Sequence, residues 1–475
     1  MTLLLTMLVL LPVRGAGACV AVGRGNPGGV RWVAIVSSLG ALALTVAAAT
    51  APAMPPASET ARQLWMLRLD GLSLPLVVLT SVLGVVAILA SWREDRRPGA
   101  HFALLLTLQA AVTLVFLADS LLLFYGAWEA VLIPMFFLIG GWGHEDRRHA
   151  SMKFFVYTFA GSALMLVGIL IAMFVGMDWS LSQIASPHLD PTHASLVFWL
   201  LLAGFAVKVP VFPLHTWLPD AHVEAPTAGS IMLAGVLLKM GGYGILRLAL
   251  PIAPQAAHAA APLLGALGII AIVYGALVAL AQTDLKRLVA YSSVAHMGFV
   301  VLAIAVGTPL ALSAAMLVMV AHGVTAALLF LLVGQLYDRT HTRSLARFGG
   351  LLRPLPIWGT LFVFGSLASL GLPGLAGFPG ELATFLAAYG SFGWWMGAVA
   401  VGVVLAGVYT LRAVRAVAYG PLPEEWATLP DLTAPEVLAA APLAISAVLL
   451  GVWPSIVTTT VAPAILAISR LLGVS

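Results

Sequence analysis

The chain reads as a succession of long apolar runs separated by short polar loops. The runs fall near residues 3–22, 30–50, 72–91, 101–118, 120–141, 152–176, 195–218, 227–250, 261–281, 288–306, 309–336, 355–390, 393–418 and 437–458. A bilayer is spanned by about 20 apolar residues in a helix, and within hydrocarbon every segment must satisfy its own backbone N–H and C=O groups. The pattern therefore predicts an all-α polytopic membrane protein of about 14 transmembrane helices. The strand-type alternation of a membrane barrel is absent.

Two runs are interrupted. The seventh contains Lys208-Val209-Pro210-Val211-Phe212-Pro213. The twelfth contains Gly371-Leu372-Pro373-Gly374, followed by Gly377-Phe378-Pro379-Gly380-Glu381. Proline removes a helical hydrogen bond and clashes with the preceding turn, so both are expected to be broken helices with an ionisable residue at the gap. Paired interruptions in corresponding halves point to an inverted-repeat transporter architecture. Five spans separate the breaks, an odd number, so helices 4–8 and 9–13 are expected to form two repeats of opposite topology. The expected division is 1–100 for helices 1–3, 101–250 and 251–420 for the repeats, and 421–475 for helix 14. The duller reading is that glycine and proline are simply commoner in membrane helices.

Composition supports the membrane reading. The 475 residues are 61% hydrophobic and 9% charged, against about 25% charged in soluble domains, and mean hydropathy is +1.04. This excludes a soluble enzyme or a disordered chain. The formal net charge of +4 lies in short loops, and every second loop is basic. One set holds Arg24, Arg31, Arg93, Arg96, Arg97, Arg147, Arg148 and Lys153. It continues with Lys286, Arg287, Arg339, Arg343, Arg347, Arg353, Arg412 and Arg415. The other set holds little beyond Arg62, Arg68 and Arg247. The basic set is expected to face the cytoplasm, with both termini opposite if the span count is even. The charge thus reads as topology, with no nucleic-acid partner. Cys19 is the single cysteine, which excludes an internal disulfide and a multi-cysteine iron–sulfur site. Ala16-Gly17-Ala18-Cys19 faintly resembles a lipoprotein cleavage site, but no basic segment precedes it, so a retained first helix is expected.

The informative chemistry lies inside the runs. Two of only four lysines, Lys208 and Lys239, fall mid-run. A charge at the centre of a spanning helix costs about 2.5–3.5 kcal/mol on insertion scales and by default marks an ion path. Glu129, deep in the fifth run, is an apt partner for Lys208. An opposite charge favours the ionised form of each and desolvation disfavours it, so opening such a pair would drive proton exchange; a static ion pair is the alternative. Lys239 has no nearby acid in its own helix. His322 is mid-membrane and can both give and accept protons, or serve as a hydrogen-bonded core residue; His296 is similar and weaker. Glu381 is either a terminal proton donor to the far side or a helix cap favoured by the dipole. His215, Asp220, His222 and Glu224 supply a water-filled inlet, a subunit contact or a solvated loop. Arg14 either snorkels or shortens the first helix. No Walker loop, glycine fingerprint or HExxH is present, so no nucleotide, flavin or metal cluster is expected in this chain.

The stretch from Ala206-Val207-Lys208-Val209-Pro210-Val211-Phe212-Pro213-Leu214-His215-Thr216-Trp217-Leu218-Pro219-Asp220 through Ala221-His222-Val223-Glu224-Ala225-Pro226-Thr227 resembles the signature of the antiporter-like subunits of proton-pumping NADH–quinone oxidoreductase, respiratory complex I. Leu237-Leu238-Lys239-Met240-Gly241-Gly242-Tyr243-Gly244 resembles the M-type branch. Asp284-Leu285-Lys286-Arg287-Leu288-Val289-Ala290-Tyr291-Ser292-Ser293 and Tyr337-Asp338-Arg339-Thr340-His341-Thr342-Arg343 agree, and the resemblance covers roughly residues 100–420.

The resemblance implies a fold of 14 helices with two inverted five-helix repeats. It implies that Glu129 pairs with the broken-helix Lys208, that Lys239 is the central relay lysine, that His322 connects, and that Glu381 is the exit residue. A proton would pass from the cytoplasmic side over Lys208 and Lys239, by water and His322, to Glu381. FMN, iron–sulfur clusters and quinone would belong to other subunits. The neighbours would be L-type and N-type chains in a bacterial plasma membrane. The alternatives are a subunit of a multi-subunit cation/proton antiporter or of a membrane-bound hydrogenase. Residues 1–70 match poorly, and Leu375-Ala376-Gly377-Phe378-Pro379 departs from the family's more polar pattern at the second break.

Overall fold

The computed structural model describes residues 2–23, 25–51, 66–176, 181 and 189–474, which leaves Arg24 and Arg62 outside the described residues. The described chain is helical nearly throughout. The first half holds α1 (Thr2–Val22), α2 (Pro27–Thr50), α3 (Leu74–Ala90), α4 (Pro98–Leu117), α5 (Leu121–Trp142), α6 (Arg147–Phe174), α7 (Pro191–Lys208), α8 (Trp217–Glu224) and α9 (Thr227–Ile252). The second holds α10 (Pro254–Ala281), α11 (Leu285–Val306), α12 (Pro309–Thr340), α13 (Pro356–Leu370), α14 (Gly377–Phe392), α15 (Met396–Ala418), α16 (Ala434–Val452) and α17 (Ser455–Leu471). Many starts carry proline in the first turn, where no N–H is needed. Side chains cap others: Asp190 accepts from the Thr192 and His193 amides at α7, and Asp284 from the Arg287 amide at α11.

Both breaks are present. α7 stops at Lys208, and the chain turns through 209–216 before α8. The Trp217 indole N–H donates to the Val207 carbonyl at 3.0 Å, and the Val211 amide to the Ala206 carbonyl at 2.9 Å. The freed acceptors thus keep partners, as irregular backbone at membrane depth requires. α13 ends on Gly371 at φ +85°, a left-handed position that glycine fills without strain. The second gap is shorter than the sequence suggests. Pro379 lies in the first turn of α14, where proline is tolerated, so Gly377 to Glu381 is already helix.

Two further features differ from the sequence reading. The final run is α16, and a separate helix, α17, follows it and packs on α12. Arg14 is exposed on an unbroken α1, so it does not shorten that helix.

α9, α11 and α12 are the most enclosed helices. Large apolar side chains such as Val156, Leu386 and Val404 point outward from the surrounding ones. Hydrocarbon does not drive helices together, so small residues and close fit must. α10 lies against α11 where a Cβ on Gly268 would come within 2.9 Å of the Gly298 carbonyl oxygen.

Loop contacts sort the chain into two faces. On one, Arg31 pairs with Asp95, the Trp142 indole donates to the Arg96 carbonyl, and Arg343 joins Asp284 at 3.1 Å and the Val223 carbonyl at 2.6 Å. Arg347 meets Glu425, and Arg339 holds Glu436 at 2.7 Å. On the other, Asp70 binds Arg247 at 2.6 Å, and the Asp119 amide donates to the Met66 carbonyl. The alternate basic loops thus lie together at one end of the bundle.

Candidate functional site

Lys239 sits in the middle of α9 between two π turns, Leu233–Leu237 and Ile245–Ala249. π turns inside α-helices are frequent at functional sites. The Lys239 side-chain nitrogen donates to the Ala234 carbonyl, which lies in the first of these turns. Lys239 is fully buried, and its Nζ lies 2.6 Å from His322 Nδ1 on α12. With Nδ1 accepting, a neutral His322 ring carries its proton on Nε2, which has no protein partner.

His322 stands next to His296 of α11, with ring centroids 5.5 Å apart. His296 Nδ1 lies 2.8 Å from Glu381 Oε1, and its Nε2 lies 3.3 Å from the Ser369 hydroxyl. A small cavity lined by His296, His322, Thr325, Ser369 and Glu381 fills the angle between the rings. It has room for about one water, and the polar lining offers such a water its partners. Lys239, His322, His296 and Glu381 therefore form a buried series of titratable groups across three enclosed helices and the second break. His296 is the link that sequence reasoning ranked low.

The first break is arranged differently. Lys208 is fully buried, yet its ammonium has no hydrogen-bond partner. It lies 5.5 Å from the ring centroids of both Trp128 and Phe154, contacts worth about 2 kcal/mol or more when desolvated. Glu129 is half-buried with one carboxylate oxygen unpartnered. It lies within the electrostatic reach of Lys208, but among the described residues no ion pair joins the two. The pair anticipated from sequence is thus near but open.

The residues around α8 are packed, not a solvated loop. His215 is buried between the Phe212 and Tyr274 rings, and His222 is stacked on Phe330 at 4.5 Å with both ring nitrogens unpartnered. Asp220 accepts from Lys153 at 2.6 Å and Arg287 at 3.3 Å, and Glu224 from the Asp146 amide at 2.9 Å. Lys286, read from sequence as a loop charge, is buried and donates to the Ala225 carbonyl at 2.6 Å. Beside it, in the loop before α6, burial and the charges of Lys286 and Arg343 push the His144 imidazole down to about 3. Among the described residues no group of three or more His, Cys, Asp or Glu is placed to hold a metal ion.

A buried titratable series that reaches the second helix break, and a buried lysine at the first, are features of the class of ion-translocating membrane proteins. Residues 118–408 match the transmembrane family of NADH:quinone oxidoreductase and Mrp antiporter proteins, and the chain belongs to that family. It is 40% identical to the NADH-quinone oxidoreductase subunit M of Rhodobacter capsulatus, over 97% of this chain and 95% of that one. Its fold matches a chain of the respiratory complex I of Thermus thermophilus with bound NADH, with a TM-score of 0.89, 30% identity and 99% and 100% of the two chains covered. A chain of a membrane-bound sulfane sulfur reductase, an archaeal respiratory membrane complex, matches with a TM-score of 0.86 at 27% identity, over 96% of this chain and 77% of that one.

Proposed function

We infer that this chain is the M-type, proton-translocating membrane subunit of an NADH–quinone oxidoreductase. It couples redox chemistry in partner subunits to proton movement. The observation that carries the reading is the buried contact series Lys239–His322–His296–Glu381. Buried charges of this kind are costly in a membrane and add nothing to a scaffold.

In this reading Glu129, Lys208, Lys239, His322 and Glu381 are the proton relay, with His296 between the last two. Closing the Glu129–Lys208 pair favours the charged lysine and opening it favours proton release, so the pair gates the relay. The chain itself performs no redox step, and FMN, iron–sulfur clusters and quinone belong to its partners. Its neighbours are L-type and N-type antiporter-like chains in a bacterial plasma membrane. The basic-loop end faces the cytoplasm and the termini the other side, which the positive-inside rule supports. Residues 101–250 and 251–420 form the two inverted repeats, a division supported by one break in each, flanked by 1–100 and 421–475.

The test is isolation of the native complex, with NADH-driven quinone reduction and acidification measured together in sealed vesicles. Coupled activity supports the reading. Partners without flavin and iron–sulfur centres, and no response to NADH, would place the chain in a cation/proton antiporter or hydrogenase assembly.

A further inference from the structure

A second cavity lies between α11, α12, α13 and α15, on the basic-loop side of the second break. Five of the residues lining it carry hydroxyls: Ser292, Ser366, Ser369, Tyr409 and Thr410. All five are buried. The Tyr409 hydroxyl sits against those of Ser292 and Thr410 and within electrostatic reach of Glu381. Ser369 also lines the cavity at Glu381, and its hydroxyl reaches His296 Nε2. The two cavities therefore meet at one side chain. Val289, Leu329 and Phe362 supply apolar wall among these residues, and toward the basic face the lining is Leu285, Leu288 and Ala413. Leu285 follows Asp284, which Arg343 holds at 3.1 Å.

Hydroxyls both donate and accept, so a row of them with intervening water can pass a proton. An apolar constriction at the mouth gates by wetting. We propose that this cavity is the inlet through which the His296–Glu381 pair takes up protons from the basic-loop face. The proposal rests on the relay reading above. It gives Glu381 a loading role in place of the exit role that the resemblance implies.

The test compares three variants of the whole complex in sealed vesicles, reading protons moved per NADH oxidised. Ser366→Leu fills the cavity, Ser366→Thr keeps the hydroxyl, and Lys239→Ala breaks the relay elsewhere. The expected result is that Ser366→Leu loses the same fraction of proton transport as Lys239→Ala, while Ser366→Thr retains it. Full transport in Ser366→Leu beside a deficient Lys239→Ala overturns the inlet and leaves the relay standing. Full transport in both overturns the relay, and the inlet with it. A loss in Ser366→Thr equal to that in Ser366→Leu marks a packing defect and also counts against the inlet. Should Ser366→Leu fail to assemble, Thr410→Leu fills the same cavity from α15 and is read by the same comparison.

Discussion

His296 and Glu381 lie 85 positions apart in the chain and meet at 2.8 Å, imidazole nitrogen to carboxylate oxygen. The contact ties α11 to the restart of the second broken helix and carries the lysine–histidine series to its end. Groups acting in series behave as one unit, so their losses do not add. His296→Ala is expected to lower protons moved per NADH as much as Lys239→Ala does, and the double variant no further. Additive losses in fluorescence-quench assays would separate the two residues into independent paths.

Glu129→Gln is expected to leave the melting temperature of the complex almost unchanged, because no ion pair is lost; the cost should be within about 1 kcal/mol. Proton transport should nevertheless fall, since the gate has lost its charge. A melting temperature lowered by many degrees would make the residue a structural support.

Trp217→Phe removes the N–H that holds the Val207 carbonyl at the first break. A buried acceptor left unmade costs roughly 1–3 kcal/mol. The variant should assemble, melt earlier, and transport less because Lys208 is displaced. Unchanged melting would show that water or another donor takes over.

At the other face, burial opposes ionisation of Asp70, but the Arg247 and Arg68 guanidiniums and the Ser73 amide outweigh it and hold the carboxyl below its usual value. A depressed carboxyl contributes stability above its unfolded value, near pH 3.9, and that contribution is lost as pH falls through the lower folded value. Asp70→Asn should therefore cost roughly 1–3 kcal/mol at pH 7, less than a fully buried pair because some solvent remains. The gap to wild type should narrow below about pH 4. Thermal unfolding measured across that range checks the sign.

The spans were legible because hydrocarbon enforces long apolar helices, and the breaks because proline and glycine mark them. Lys208 and Lys239 stood out because mid-run charges are rare. Lys286 did not, since beside Arg287 it looks like an ordinary loop charge; only the fold shows its ammonium turned inward onto Ala225. The sequence gives His296 little weight because its partner Glu381 is remote in the chain, and the serines and threonines of α13 and α15 carry no sequence signal that sets them apart. α17 escaped notice because Thr458, Thr459 and Thr460 dilute its apolar character. The Glu129–Lys208 pair was anticipated closed, and the two aromatic rings that hold Lys208 without a carboxylate were not foreseen.

That aromatic seat has a consequence for timing. Lys208 is already held in place, so only the Glu129 side chain need swing to close the pair. Side-chain rotamer changes take picoseconds to nanoseconds, whereas turnover of most enzymes runs at about 1–1,000 per second. If this pair is the relay's gate, its closing is not the slow step. A slower event, in this chain or in its neighbours, then sets when the carboxylate moves.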